Sequence, residues 1–223
     1  HAVHAGYADG AQQPADGRRD QTDKQRHQHR DRHRGTGHHP GFGFSPQSSA
    51  HDLAGLELYL EAFVEMLELT DYDVCGSSMG GALALSHTLR VPEQVRRLVL
   101  VGTYGIQPGM AMHPWNAFWV RLPWVVDFAR FAALNPFFVS FSLSSMLNKA
   151  PFDGDLVMQV REAALNTPAL DTFNDFQRHE LDWWSNKTDL SPHLGRISQQ
   201  TLLIQGSADL ILSVSDAQRA TQL

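Results

Sequence analysis

The chain has little cysteine, no long apolar run and no surplus of basic residues. Cys75 is the single cysteine among 223 residues, which excludes an internal disulfide, and we expect a cytoplasmic location. Arg121, Pro123 and Asp127 interrupt the most apolar region, so we expect no membrane span, which needs about 18 apolar residues in a row. The 18 Lys and Arg residues are outnumbered by 24 Asp and Glu residues, and the formal net charge is −6. Because phosphate binding needs a basic surplus, this charge argues against a nucleic-acid partner.

Residues 1–41 differ in composition from the rest of the chain. They contain no Leu, Ile, Phe, Met or Trp, but they hold seven of the 12 histidines and seven of the 18 Lys and Arg residues. Such a segment cannot bury an apolar core, so we predict a disordered or non-native polar tail. Metal or polyanion binding by the histidine-rich run 27–33 is the alternative, but polar low-complexity stretches are usually solvated. We therefore predict no metal site and no cofactor.

The first helical pattern covers residues 50–69. Its apolar side chains fall on one stripe and its glutamates on the opposite side, which is typical of an amphipathic helix packed on a core. The stripe consists of Leu53, Leu56, Leu60, Phe63, Val64 and Leu67. The glutamates on the opposite side are Glu57, Glu61, Glu65 and Glu68.

Strand and helix patterns then alternate along the chain. We predict a strand at 72–75 and a helix at 79–90, which ends there because Pro92 disfavours continuation. Two uninterrupted apolar runs, 98–101 and 202–204, suit strands that are buried on both faces of a parallel sheet. This order predicts an α/β fold in which helices flank a parallel sheet.

The junction between the first predicted strand and the helix after it reads Gly76-Ser77-Ser78-Met79-Gly80. It fits the pattern Gly-x-Ser-x-Gly, centred on Ser78. A serine on a sharp strand-to-helix turn has a strained backbone, and glycines two residues to either side avoid collisions there. The turn also places the Met79 amide at a helix N-terminus, where it can stabilise a developing oxyanion. A flexible turn without chemistry is the alternative, but the flanking strand and helix favour a nucleophile.

Five stretches of the sequence resemble the α/β-hydrolase family. They are the residues 40–45, the helix through Leu69, the elbow at 76–81, and the later segments 92–102 and 201–209. The elbow is specific to the family, and the other stretches support it. The resemblance implies a partial α/β-hydrolase parallel sheet flanked by helices, with an inserted all-helical cap.

The resemblance also assigns roles to individual residues. It implies that Ser78 is the nucleophile and that the Met79 amide forms half of the oxyanion hole. Gly76 and Gly80 then frame the nucleophile elbow. Asp209 corresponds to the acid that orients a histidine, although a solvated carboxylate or a helix cap is the alternative for this residue. Serine at the elbow argues against the related enzymes that attack with a carboxylate.

The same resemblance divides the chain into parts. Residues 42–102 and 197–223 correspond to an incomplete core, and residues 103–196 correspond to the cap. The cap segment holds all five tryptophans and nine of the 12 phenylalanines. These rings suit an apolar lid that selects the substrate, but we expect most of them to form the core of the cap and its seam with the sheet. Cys75 is expected to be a small core residue.

A serine nucleophile needs a general base within hydrogen-bond reach. In the family this base is a histidine that follows the acid, but no histidine follows Asp209 in this sequence. We therefore expect the chain to be incomplete at both ends and residues 1–39 to be out-of-frame or mis-joined sequence. The predicted function is that of a serine hydrolase that acts on a small apolar ester or related carbonyl substrate by acyl transfer. The alternative is a catalytically inactive fragment or binding protein of the same fold.

Overall fold

The structure, a computed structural model, describes residues 39–43, 45–47, 52–107, 109, 113–147, 154–209 and 211–222. Within these ranges the chain forms α-helices, a 3-10 helix and three strands, and the strands build one sheet. In chain order the elements are α1 (Leu53–Met66), β1 (Tyr72–Ser78), α2 (Met79–Arg90), β2 (Val95–Thr103), α3 (His113–Trp119), α4 (Val125–Ala133), α5 (Pro136–Leu147), α6 (Gly154–Asn166), α7 (Ala169–Glu180), a 3-10 helix (Ser191–Arg196), β3 (Gln200–Ile204) and α8 (Val214–Ala220). The α2 helix spans the residues that the sequence predicts, whereas each strand is longer than the stretch predicted for it.

The three strands form one parallel sheet in the order β1-β2-β3. Cys75 pairs with Val99, which pairs with Leu202, and in the next row Leu100 pairs with Leu203. Because successive side chains of a strand point to opposite faces, these two rows mark the two faces of the sheet. The α/β fold with a partial parallel sheet is thus confirmed.

The face that carries Leu100 and Leu203 is covered by α2 and α8. Leu85 of α2 is 1% exposed, Leu98 of β2 is 0% exposed, and Ala217 of α8 joins the same apolar cluster. Removing a leucine or isoleucine side chain from water stabilises a fold by roughly 1.5–3 kcal/mol. This layer is therefore one apolar core of the described part of the chain.

The other face of the sheet is open in the described part of the chain. Leu202 is 55% exposed, Ile204 is 46% exposed and the Cys75 thiol is free and exposed. The predictions of burial on both faces and of a core position for Cys75 are therefore wrong for these residues. The reason is that α2 and α8 pack on one side of the sheet, so the alternate residues of each strand face away from them.

The α1 helix begins and ends inside its predicted range. Asp52 caps it, since its Oδ1 accepts a hydrogen bond from the Gly55 N–H at 2.9 Å. The apolar stripe is buried, as predicted, at Leu53, Leu56 and Val64. Glu57 departs from the prediction, because it is 5% exposed rather than facing water. The Ser86 hydroxyl donates to its carboxylate at 2.9 Å and Arg90 lies 3.2 Å from it, so α2 supplies the partners that burial of this charge requires.

The elements between β2 and β3 are helical, in the segment where the sequence predicts a cap. The prediction that most aromatic rings of this segment are buried is wrong, although Phe176 is only 6% exposed. Edge-to-face contacts link consecutive exposed rings in a row from α3 into α4. The members of this row are Trp115, Phe118, Trp119, Trp124 and Phe128. None of the helices in the described ranges is long and apolar enough to cross a membrane.

A turn at residues 39–43 belongs to the fold. The Phe42 N–H donates to the carbonyl of His39 at 2.9 Å, and Gly41 is buried with a φ of +78°. A Cβ at Gly41 would lie 2.0 Å from Oγ1 of Thr172 on α7, so only glycine fits this contact. Residues 39–41, the last of the predicted tail, thus lie in this turn, and the prediction for residues 1–38 lies outside the described residues.

Candidate active site

Ser78 lies where β1 ends and α2 begins. Its backbone has φ 52° and ψ −119°, a conformation that residues with a Cβ rarely adopt and that costs roughly 1–3 kcal/mol. The Tyr104 N–H donates to the Ser78 carbonyl at 3.2 Å, which ties this strained residue to the end of β2. The sharp strand-to-helix turn expected from the sequence is present.

The glycines of the elbow do not all act in the predicted way. A Cβ at Gly76 would lie 2.0 Å from the carbonyl oxygen of Gly80, so the collision expected at Gly76 is real. At Gly80 itself a Cβ would meet nothing within 4 Å apart from the backbone of its own helix, so the steric reason given for that glycine is wrong. Of the two neighbours Gly80 and Gly81, Gly81 is the more closely packed, because a Cβ there would lie 2.5 Å from Oγ1 of Thr103 on β2. The sequence contains the pair Gly80-Gly81, but it does not show which of the two glycines faces the sheet.

A cavity of about 320 Å³ opens beside the elbow. Ser78 and Met79 line it from the elbow, Phe173 and Phe176 line it from α7, and Leu212 lines it from the loop before α8. This volume lies at the small end of the range found for ligand-binding pockets. No tryptophan is among the described residues that line the cavity, and its aromatic lining residues are Tyr104, Phe173 and Phe176.

Asp209 lies in the loop after β3, at the edge of the sheet where β2 also ends. Its Oδ1 accepts hydrogen bonds from the amides of Ile211 and Leu212 at 2.8 and 2.9 Å. The Gln205 side-chain amide donates to its Oδ2 at 2.9 Å. A Cβ built on Gly102 would lie 3.7 Å from the same Oδ2, which places the carboxylate beside the end of β2. Asp209 is not among the described residues that line the cavity, whereas Ile211 and Leu212, whose amides it holds, are.

The cavity has polar wall residues that sequence reasoning missed. Glu180, at the end of α7, is 3% exposed and lines the cavity together with Tyr104, Asn116 and Gln177. The Tyr104 hydroxyl donates to the Glu180 carboxylate at 3.2 Å. Burial, together with the negative charge and hydrogen bond of Glu180, raises the pKa of Tyr104 well above its usual range. No local pattern in the sequence marks these residues, because α7 reaches the elbow only through tertiary packing.

No histidine is among the described residues that line the cavity. His87 is 1% exposed on α2, and its Nε2 lies 2.6 Å from the Tyr72 hydroxyl. Burial lowers the pKa of His87. His179 and His193 are exposed on the segment between β2 and β3. In the described part of the chain, no group of three or more His, Cys, Asp or Glu side chains is arranged to hold a metal ion.

A parallel sheet whose first strand leads through a strained serine into a helix defines a class of protein. The model of the alpha/beta hydrolase fold family matches residues 36–223, and the chain belongs to this family. A 2-hydroxy-6-oxo-2,4-heptadienoate hydrolase of Pseudomonas putida is 40% identical to the chain over 68 residues, which are 30% of this chain and 25% of that protein. A 2-hydroxymuconate semialdehyde hydrolase of Pseudomonas putida is 38% identical over 68 residues, 30% of this chain and 24% of that protein. The match thus spans about a quarter of each of these relatives.

Solved structures share the fold. An esterase from Exiguobacterium antarcticum has a TM-score of 0.65 at 17% identity, over 82% of this chain and 66% of that chain. A meta-cleavage product hydrolase from Pseudomonas fluorescens has a TM-score of 0.58 at 24% identity, over 82% of this chain and 65% of that chain.

Proposed function

We propose that the chain is a serine hydrolase that acts on a small, largely apolar ester or related carbonyl compound by acyl transfer. One observation carries this proposal. Ser78 holds a strained backbone with φ 52° between β1 and α2, on the wall of a cavity of about 320 Å³. Strain of this kind persists only where the surrounding structure imposes it, and it is frequent at catalytic residues. Membership of the alpha/beta hydrolase fold family supports the same proposal.

In the proposed mechanism, Ser78 Oγ attacks the carbonyl carbon of the substrate. The Met79 amide, at the first position of α2, donates a hydrogen bond to the oxyanion that develops, because the first amides of a helix have no partner within it. Asp209 orients the histidine that accepts the proton of Ser78 and gives it to the leaving group as the bond to the acyl carbon breaks. Water then releases the acyl group from Ser78. None of the described residues that line the cavity supplies this histidine.

We propose that two parts of the chain, a core and a cap, have different roles. Residues 42–102 and 197–223 form the catalytic core, and residues 103–196 form a cap that contributes Phe173 and Phe176 to the cavity wall. These two rings favour an acyl group or ring without charge. The curated relatives are named as hydrolases of a dienoate and of a semialdehyde, which supports cleavage next to a carbonyl carbon as the reaction type.

Covalent labelling tests the nucleophile. The chain is treated with a fluorophosphonate probe, and the adduct is counted and mapped by mass spectrometry. We expect one phosphonyl group per chain, on Ser78, and its loss in Ser78→Ala. Ser77→Ala is the matched control, because it removes the neighbouring hydroxyl from the same turn and is expected to leave the label in place. Labelling that persists in Ser78→Ala would contradict the proposal.

The second candidate function is that of a binding protein of the same fold. The observation that favours it is the lack of a histidine among the described residues that line the cavity. A wild-type chain that binds a small apolar ligand but takes up no fluorophosphonate would support this candidate over the hydrolase.

A further inference from the structure

The wall of the cavity beside Ser78 contains a buried carboxylate. Glu180 is 3% exposed and lines the same cavity as Ser78 and Met79. Its position at the end of α7 brings it against the start of α1, where its Oε1 accepts a hydrogen bond from the Leu53 N–H at 3.2 Å. The carboxylate is thus fixed on both sides, by α1 and by the Tyr104 hydroxyl.

The Glu180 side chain is held by two hydrogen bonds from the protein. Both of its oxygens accept a hydrogen bond, one from a backbone amide and one from a hydroxyl. Leu53 is the first residue of α1, and a helix N-terminus stabilises negative charge.

No described residue that lines the cavity is a lysine, arginine or histidine. Arg121 is held elsewhere, since it donates to the carbonyls of Ala117 and Leu181 and its guanidinium lies 5.1 Å from the centre of the Trp183 ring. Among the described residues that line the cavity, Glu180 is therefore the acidic side chain, and no basic side chain opposes it.

We infer that Glu180 is a specificity-determining residue that excludes ligands with a carboxylate and selects neutral acyl compounds. A ligand carboxylate placed beside the Glu180 carboxyl group in a small, largely apolar cavity is poorly screened by water, and juxtaposed like charges disfavour binding. A cost of about 1.4 kcal/mol already weakens binding tenfold. The inference deepens the proposed function and rests on it, since it names the charge class of the substrate for the same cavity. It predicts a different substrate charge from that of the relative named as a hydrolase of a dienoate, which is a carboxylate.

Two hydrolysis-resistant anilides test the inference. Butyranilide and succinanilic acid have acyl groups of the same length, and the second carries a terminal carboxylate where the first carries a methyl group. Calorimetric titration of the chain at neutral pH should give a Kd for succinanilic acid at least about tenfold higher than that for butyranilide. In Glu180→Gln, which keeps the size and most hydrogen bonds of the side chain, this ratio should fall to about two or less.

Two further variants complete the experiment. Glu162→Gln, on the exposed surface of α6, makes the same change in net charge away from the cavity and should keep the wild-type ratio. Gln177→Glu adds a second carboxylate to the cavity wall and should widen the ratio, so the inference stays testable if Glu180→Gln does not fold.

Three results would overturn the inference: equal binding of the two anilides by the wild type, an unchanged ratio in Glu180→Gln together with no change in Gln177→Glu, and no binding of either anilide. These outcomes are separate from those of the proposed function, because anilide binding does not need the Ser78 hydroxyl. Loss of discrimination with intact Ser78 labelling would refute only this inference. Discrimination without labelling would refute only the hydrolase.

Discussion

The core around α2 and the helices α3 to α5 bury apolar surface to very different extents. In the core, Leu85 and Leu98 are 1% and 0% exposed. In α4 and α5, Phe128, Phe131 and Phe141 are 59%, 71% and 61% exposed. The core is built from small and branched side chains between a helix and a sheet, whereas α3 to α5 carry large rings that touch one another along the surface.

The difference teaches that apolar content alone does not predict burial. A residue between α2 and the sheet is enclosed by two elements that the chain brings together from distant positions. The rings of α3 and α4 contact mainly their neighbours in sequence, as in the pair Trp124 and Phe128, so one side of each ring stays in contact with water. Three predictions sharpen this comparison, and they are ordered from the largest expected effect to the smallest.

The largest effect is expected from a truncation inside the core. Leu98→Ala removes a fully buried side chain from the layer between β2 and α2 and leaves a cavity, which should lower the free energy of unfolding by about 3 kcal/mol. Equilibrium unfolding in urea measures this change.

Phe128→Ala is the matched truncation on the exposed side of the comparison. Because the Phe128 ring is 59% exposed, we expect the free energy of unfolding to fall by no more than about 0.5 kcal/mol. Equal losses for the two variants would mean that the aromatic row is packed as tightly as the core, and the comparison would be wrong.

The second prediction concerns two glycines of one turn. Gly76→Ala places a Cβ 2.0 Å from the carbonyl oxygen of Gly80, so the backbone must shift and we expect a loss of about 2 kcal/mol, measured by urea unfolding. Gly80→Ala meets no atom outside the backbone of its own helix and replaces a helical glycine. It should be neutral or stabilise the fold by up to about 1 kcal/mol. The reverse order of the two variants would show that the elbow is not limited by the contact between Gly76 and Gly80.

The third prediction extends the comparison to polar groups, since α2 buries His87 whereas His193 is exposed. Burial lowers the pKa of His87 below its ordinary value of 6.5, although the nearby charges of Glu57 and Glu61 oppose the shift and Arg90 adds to it. The stabilising effect of the neutral imidazole is therefore complete above about pH 6.5. It is lost as the pH falls further, because the unfolded chain then binds a proton that folded His87 does not.

Urea unfolding of the wild type and of His87→Gln at pH 7 and pH 5.5 measures this effect. Between pH 7 and pH 5.5, the free energy of unfolding of the wild type should fall by about 1 kcal/mol more than that of the variant. Burial also lowers the pKa of His39, but that contribution is present in both proteins and cancels in the difference. His193→Gln is the control and should keep the wild-type pH dependence. A pH dependence unchanged in His87→Gln would refute the prediction.

Much of the site could be predicted because its signals are local. The strand, the glycine-framed serine and the helix that ends before Pro92 follow one another within about twenty residues, and the backbone of a tight turn restricts which residues can occupy it. Phe176 was in the predicted cap, but its role in the cavity wall had no local signal. Glu180 was missed altogether, because it reaches Leu53 across 127 positions of the chain.

The sequence by itself determined the α/β order of elements, the range of α2 and the strained turn at Ser78, since periodicity, proline and glycine act on the backbone within a few residues. Only the tertiary structure decided which face of the sheet is covered, that Glu57 is buried against Ser86 and Arg90, and that a carboxylate enters the cavity. These features depend on which distant surfaces meet, and the free energy of such contacts is not encoded in any one segment.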